Sequence, residues 1–153
     1  MNLLDAIPEA AVVGVDTAPF VYVLEGHDVY GPLVRLFFAQ RVETGLNRII
    51  TSTVTLSELL VHPMRDQRTD VVDRYRRLLT RGRNLTLVAI DAAVAEKAAS
   101  LRATHGIRLP DAFQLAAALA HGATHFLTND HRLRKVSDLS ILVLEDHAPR
   151  TCG

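Results

Sequence analysis

Residues 109–130, LPDAFQLAAALAHGATHFLTND, decide the fold. Pro110 stands in the first turn of a helix, where its missing N–H costs no hydrogen bond. Alanine and leucine carry that helix onward, and Gly122 ends it. THFLT (124–128) follows as a short apolar run, the pattern of a strand buried on both faces. Asp111 sits where the helix begins and Asp130 where the strand has just ended.

The same alternation fills the rest of the chain. AVVGV (11–15), RIITST (48–53), LTLVAI (85–90) and ILVLE (141–145) are further short runs rich in β-branched and apolar residues. Between them lie helical patterns at 29–45, 55–62, 70–82 and 91–106. Gly45, Gly82 and Gly106 are their stops, Pro63 halts the second, and Asp91 is an N-cap. Strands alternating with helices imply right-handed crossovers. The expected class is α/β, a three-layer α/β/α sandwich around a central parallel sheet. No repeat, low-complexity tract or linker divides the 153 residues, so one domain over 1–153 is expected, with a core of about 11–145. The ends, about 1–8 and 147–153, read as loose.

Hydrophobic residues make up 48% of the chain, enough to fill a core. The 17 basic and 17 acidic residues cancel, so any nucleic-acid contact must be local rather than a property of net charge. Cys152, the single cysteine, excludes an internal disulfide and a cysteine metal cluster. The N-terminus lacks the basic start of a signal peptide, and no apolar run would span a bilayer. A soluble cytoplasmic protein without a membrane partner is the expectation.

Two more acids complete the pattern set by Asp111 and Asp130. Asp16 closes the run AVVGV, and Glu58 lies in TVTLSELL after RIITST. Each has an ordinary explanation. Asp16 is a possible N-cap for a helix begun by Pro19. Thr55 and Glu58 have capping-box spacing, Asp111 suits a helix macrodipole, and Asp130 suits a turn. The conjunction carries more weight. The carboxyl ends of parallel strands share one edge of a sheet, where ligands bind. Four carboxylates meeting there repel one another unless a cation offsets them. Oxygen donors favour Mg²⁺ or Mn²⁺ over zinc, and such ions suit phosphodiester hydrolysis. Thr17 and Thr128 are near the acids, with hydroxyls able to orient water or phosphate.

Other chemistries lack their residues. His121 and His125 are split by Gly122, there is no H-E-x-x-H, and neither a P-loop nor G-x-G-x-x-G occurs. Ser57 has no nucleophile-elbow context. Two basic stretches remain. Residues 65–83 hold seven arginines against three aspartates, the composition of a solvated helix face. Arg132, Arg134 and Lys135 flank the expected cleft and are the better phosphate contacts.

In order and spacing, Asp16–Thr17, Ser57–Glu58–Leu59, Leu109–Ala112 and Thr128–Asp130 resemble the PIN-domain family, and more narrowly its VapC-like ribonuclease toxins. The resemblance spans about 11–145. It implies an acidic quartet of Asp16, Glu58, Asp111 and Asp130 binding Mg²⁺ or Mn²⁺, and a supporting role for Thr128. Many relatives carry asparagine soon after the first aspartate, where this chain reads Thr17-Ala18-Pro19. The resemblance further implies RNA as substrate, a homodimer and an antitoxin partner, with PFVYVLE (19–25) and LVRLFF (33–38) as apolar docking candidates or simply core. A housekeeping RNA-processing nuclease and a non-catalytic RNA-binding or scaffold domain are the alternatives.

Overall fold

The computed structural model describes residues 1–150, so Cys152 lies outside the described residues. Five strands form one sheet: β1 (Val12–Val15), β2 (Arg48–Ser52), β3 (Leu85–Val88), β4 (His125–Thr128) and β5 (Ser140–Val143). All pairings are parallel, in the order β3-β2-β1-β4-β5. The five apolar runs are the five strands. The last ends earlier than expected, because Leu144 and Glu145 turn into a short 3₁₀ segment, Leu144–His147.

Among the described residues, seven α-helices connect and cover the strands: α1 (Leu3–Ala6), α2 (Thr17–Val21), α3 (Tyr30–Phe37), α4 (Thr53–Arg65), α5 (Thr69–Arg81), α6 (Ala92–His105) and α7 (Leu109–Ala120). Alternate strand side chains face opposite layers. Val13, Val15, Ile49 and Leu127 join Phe20, Val34, Phe37, Leu59 and Tyr75 in one core. Ile50, Val88 and Phe126 join Ala98, Leu101 and Leu115 in the other. The chain is therefore the expected three-layer sandwich. Gly14 explains how closely α7 lies on the sheet: a Cβ there would sit 2.6 Å from the Phe126 ring and 2.7 Å from Ala118 Cβ. Small residues on β1 and α7 permit that approach.

Three expectations need correction. The first eight residues are not loose: Leu3 and Ile7 are buried in the core, because α1 packs its apolar side against α3. Pro63 does not halt α4, which continues to Arg65. So near the helix end, proline removes one hydrogen bond, and burial of its ring offsets part of that loss. The helix after β1 begins at Thr17 rather than Pro19, with Asp16 as its N-cap. The apolar stretches 19–25 and 33–38 supply core through Phe20, Val34 and Phe37, while Leu36 stays exposed.

The connections from β1 lead to β2 and β3 on one side, and the chain then crosses to β4 on the other side of β1. The direction of winding reverses between β1 and β4. A crevice opens at such a reversal, beyond the carboxyl ends of the strands. Asp16 follows β1 directly, and Asn129 and Asp130 follow β4.

Candidate active site

Asp16 stands at the centre of this crevice. Its backbone N–H donates to Leu127 O at 2.9 Å, which extends the β1–β4 pairing by one step. Its carboxylate accepts the Thr17 N–H on Oδ1 at 2.8 Å and the Thr128 hydroxyl on Oδ2 at 2.8 Å. The capping role and the site role therefore coexist in one side chain. Burial is the main force on this acid and raises its pKa to about 6; the Thr128 and Thr17 hydrogen bonds oppose the rise, and the charges of Asp111 and Glu58 add to it. Asp111 and Glu58 therefore both lie within electrostatic reach of Asp16.

Glu58 is carried by α4. The capping-box reading fails there, because Ser52 is the N-cap and accepts the Val54 N–H. Thr55 lies inside the helix, and Glu58 is left free to face the crevice. It accepts a hydrogen bond from the Thr17 hydroxyl at 3.3 Å. Behind Thr17 runs a buried polar network. Gln114 Nε2 donates to Thr17 Oγ1 and to Thr55 Oγ1, and Gln114 Oε1 accepts from Ser52 Oγ. No buried side-chain polar atom among the described residues lacks a partner. This network locks α2, β2, α4 and α7 to one another directly beneath the acids.

Asp111 and Asp130 are each held by an arginine. Asp111, 9% exposed, accepts from Arg108 Nε at 3.0 Å. Asp130 receives Arg132 through Nε at 2.9 Å and Nη2 at 2.7 Å, and also caps the Arg132 N–H. Arg132 accordingly holds the Asp130 carboxyl below the usual carboxylate range. An open cleft of about 380 Å³ is lined by Asp16, Tyr22, Thr128, Asn129, Asp130 and Arg132, among others. A smaller recess of about 80 Å³ beside it contains Asp111, Arg108, Arg132 and Lys135. Arg132 lines both.

A sequence model of the PIN domain matches residues 13–139, most of the chain. The chain belongs to the PIN domain family. Comparison with curated proteins gives no match. Among solved structures, a toxin–antitoxin complex from Klebsiella pneumoniae is 20% identical, with a TM-score of 0.64, covering 88% of this chain and 98% of its own. VapBC-1 from nontypeable Haemophilus influenzae is 17% identical with the same TM-score and coverage. VapC20 of Mycobacterium tuberculosis, a toxin that cleaves the sarcin–ricin loop, is 17% identical with a TM-score of 0.58, covering 76% of this chain and 87% of its own. At these identities the likeness establishes the fold.

In this PIN domain Asp16 and Asp130 share one cleft, Asp111 lies in the recess beside it, and Glu58 reaches the site through Thr17, while Thr128 bonds to Asp16. Among the described residues, no three acid or histidine side chains close around a common point. The donors themselves are hard carboxylate oxygens backed by hydroxyls, the chemistry that a magnesium or manganese ion requires. Of the expected phosphate contacts, Arg132 lies in the cleft and Lys135 in the recess. Arg134 is engaged elsewhere, with Nη2 at 2.6 Å from both carboxylate oxygens of Asp146. Sequence reasoning missed Gln114, Ser52, Asn129 and Arg108. Gln114 had a legible signal: it is a polar residue three positions after Asp111, on the same face of an otherwise alanine-rich buried helix.

Proposed function

We propose that this PIN domain is a divalent-metal-dependent endoribonuclease and the toxin member of a toxin–antitoxin pair. The observation that carries the reading is the placement of the carboxylates around the β1–β4 reversal: Asp16 and Asp130 line one cleft, Asp111 lines the recess beside it, and Glu58 accepts from Thr17. Burial first, and then the charges of Asp111 and Glu58, raise the Asp16 pKa. Such a cluster is unfavourable alone and is relieved by a bound cation. Asp16, Glu58, Asp111 and Asp130 would hold Mg²⁺ or Mn²⁺. Once bound, the ion supplies Lewis-acid activation of water and offsets charge on the phosphate.

The remaining steps belong to the chain. Thr128 and the Thr17 N–H fix the orientation of the Asp16 carboxylate. Through Thr17, Gln114 fixes Glu58. Arg132 can leave Asp130 for a phosphate oxygen, exchanging one bidentate anion for another, and Lys135 adds charge beside it. The antitoxin partner and RNA substrate are supported by the solved relatives, which include toxin–antitoxin complexes and an RNA-cleaving toxin. A homodimer and a cytoplasmic setting fit the same reading. No helix among the described residues is long and apolar enough to cross a membrane.

The test is substitution at the acids. Asp16→Ala and Asp111→Ala should each abolish manganese-dependent RNA cleavage while circular dichroism reports an intact fold. Undiminished metal-dependent cleavage by both folded variants would overturn the reading.

A further inference from the structure

Beside the acids stands a group of aromatic rings that the hydrolytic chemistry does not use. Tyr22 lines the cleft with Asp16, Asp130 and Arg132. Its hydroxyl accepts from Asn129 Nδ2 at 3.3 Å. Its ring centroid lies 4.9 Å from that of His27 and 5.2 Å from that of Tyr30, and His27 stacks on Tyr30 at 4.7 Å and 21°. Tyr22 and Tyr30 are only partly buried and His27 is exposed. Tyr22 brings this group to the cleft, Tyr22 and Tyr30 pack only in part against the core, and His27 is left exposed beside them.

The backbone holds these rings in place before any ligand arrives. Tyr22 to Gly26 form a wide π-helical turn, a local distortion common at functional positions. Gly31 lets the start of α3 approach that turn, since a Cβ there would lie 2.9 Å from the Tyr22 carbonyl oxygen. His27 Nδ1 accepts the N–H groups of Val29 and Tyr30 at 3.2 and 3.1 Å, which fixes the ring plane. A site fixed in advance loses little entropy on binding.

We propose that Tyr22, His27 and Tyr30 form a stacking platform for an unpaired nucleobase next to the phosphate being cut. The inference rests on the nuclease reading and assigns the residues that hold a base beside the cut. The cleft then offers one element for each part of a nucleotide. Aromatic rings meet the base, Arg132 meets the phosphate, and the acids stand at the scissile bond. Every base has a π-face, so stacking is tolerant of sequence. A base within a duplex is already stacked on both sides and must be pulled out at a cost before it can use the platform. Selection for unpaired segments follows from that difference.

The test uses the whole chain in EDTA, with short single-stranded RNAs carrying one 2-aminopurine among random flanks. Binding to the wild-type protein should quench 2-aminopurine fluorescence, and the same RNAs annealed into duplexes should not be quenched. Tyr22→Phe should retain the quenching. Tyr22→Ala and His27→Ala should weaken it and lower RNA affinity about tenfold, the scale of one lost base stack. His27 is exposed, so His27→Ala keeps the test sound if Tyr22→Ala melts early. Equal quenching in wild type and His27→Ala would overturn the platform, as would its absence from wild type, the result expected if the rings receive a protein partner instead. Manganese-dependent cleavage, measured in parallel, separates the two readings. Cleavage without quenching removes only the platform; quenching without Asp111-dependent cleavage removes only the nuclease.

Discussion

The Thr128 hydroxyl donates to Asp16 Oδ2 at 2.8 Å, joining the ends of β4 and β1 across 112 residues of sequence. The Thr128 hydroxyl oxygen in turn accepts the Asp130 N–H at 3.1 Å. One buried side chain thus aligns the first acid and the last. Thr128→Val keeps the shape and removes both bonds. It should cost about 2 kcal/mol of stability, since a charged acceptor and an N–H both lose a partner. That hydrogen bond lowers the Asp16 pKa, so its loss raises the pKa further, and the acid limb of the activity profile should move to higher pH. Chemical denaturation and a pH–rate profile check the two effects.

Asp16 also makes the metal-free protein sensitive to pH. Its pKa in the folded chain is about 6, against 3.8 for the free side chain. Between those values the folded state binds more protons than the unfolded state, so stability falls as pH rises through this window and levels off above it. A tenfold change in an acid constant is worth about 1.4 kcal/mol, so the full loss is at most about 3 kcal/mol. Asp16→Asn should flatten the dependence and raise the melting temperature of the metal-free protein at pH 7. Manganese should bind more weakly below pH 6, where the ion must displace a proton. Melting curves at closely spaced pH values, with and without manganese, check the sign.

Gln114 is predicted to matter as much as an acid while touching no substrate. Gln114→Leu removes the amide that joins Ser52, Thr55 and Thr17. Leaving those hydroxyls short of partners should cost about 1–3 kcal/mol. Thr17 would lose its anchor and Glu58 its positioning, so more manganese should be needed for half-maximal cleavage. A metal titration of the cleavage rate reads this directly, and Gln114→Ala repeats it without the added bulk.

The sequence was legible wherever a residue's own neighbours decide its structure. AVVGV and RIITST read as strands because a strand covered on both faces shows no polar alternation. Asp111 and Asp130 could be placed at element boundaries from their neighbours alone. The order of strands was not legible, since five similar apolar runs carry no label for their neighbours. Ser52 and Gln114 are 62 residues apart, and nothing local tells a polar side chain which distant partner it will meet. The capping-box spacing at Thr55 and Glu58 misled because Ser52 caps α4 three residues earlier. The pairing of Arg134 with Asp146 depends on how the last 3₁₀ segment folds back, which charge spacing does not encode.

On the proposed function, Arg132 would set the balance between metal and substrate. Its guanidinium occupies the Asp130 carboxylate. Arg132→Ala should free that acid, so manganese should bind several-fold more tightly. RNA should bind more weakly, with the salt dependence of its affinity reduced by about one counterion. Arg132→Lys keeps the charge without the planar fork and should fall between the two. Calorimetry with manganese and filter binding at several salt concentrations separate these effects.

On the proposed function, the carboxylates at the β1–β4 reversal cut RNA with a divalent ion. The most direct measurement is to incubate the purified protein with total cellular RNA and manganese and to map newly formed ends by sequencing. EDTA and Asp111→Ala are the controls. Discrete new ends that vanish in both controls are the predicted result. No new ends from the folded protein, or the same ends from Asp111→Ala, would contradict the account.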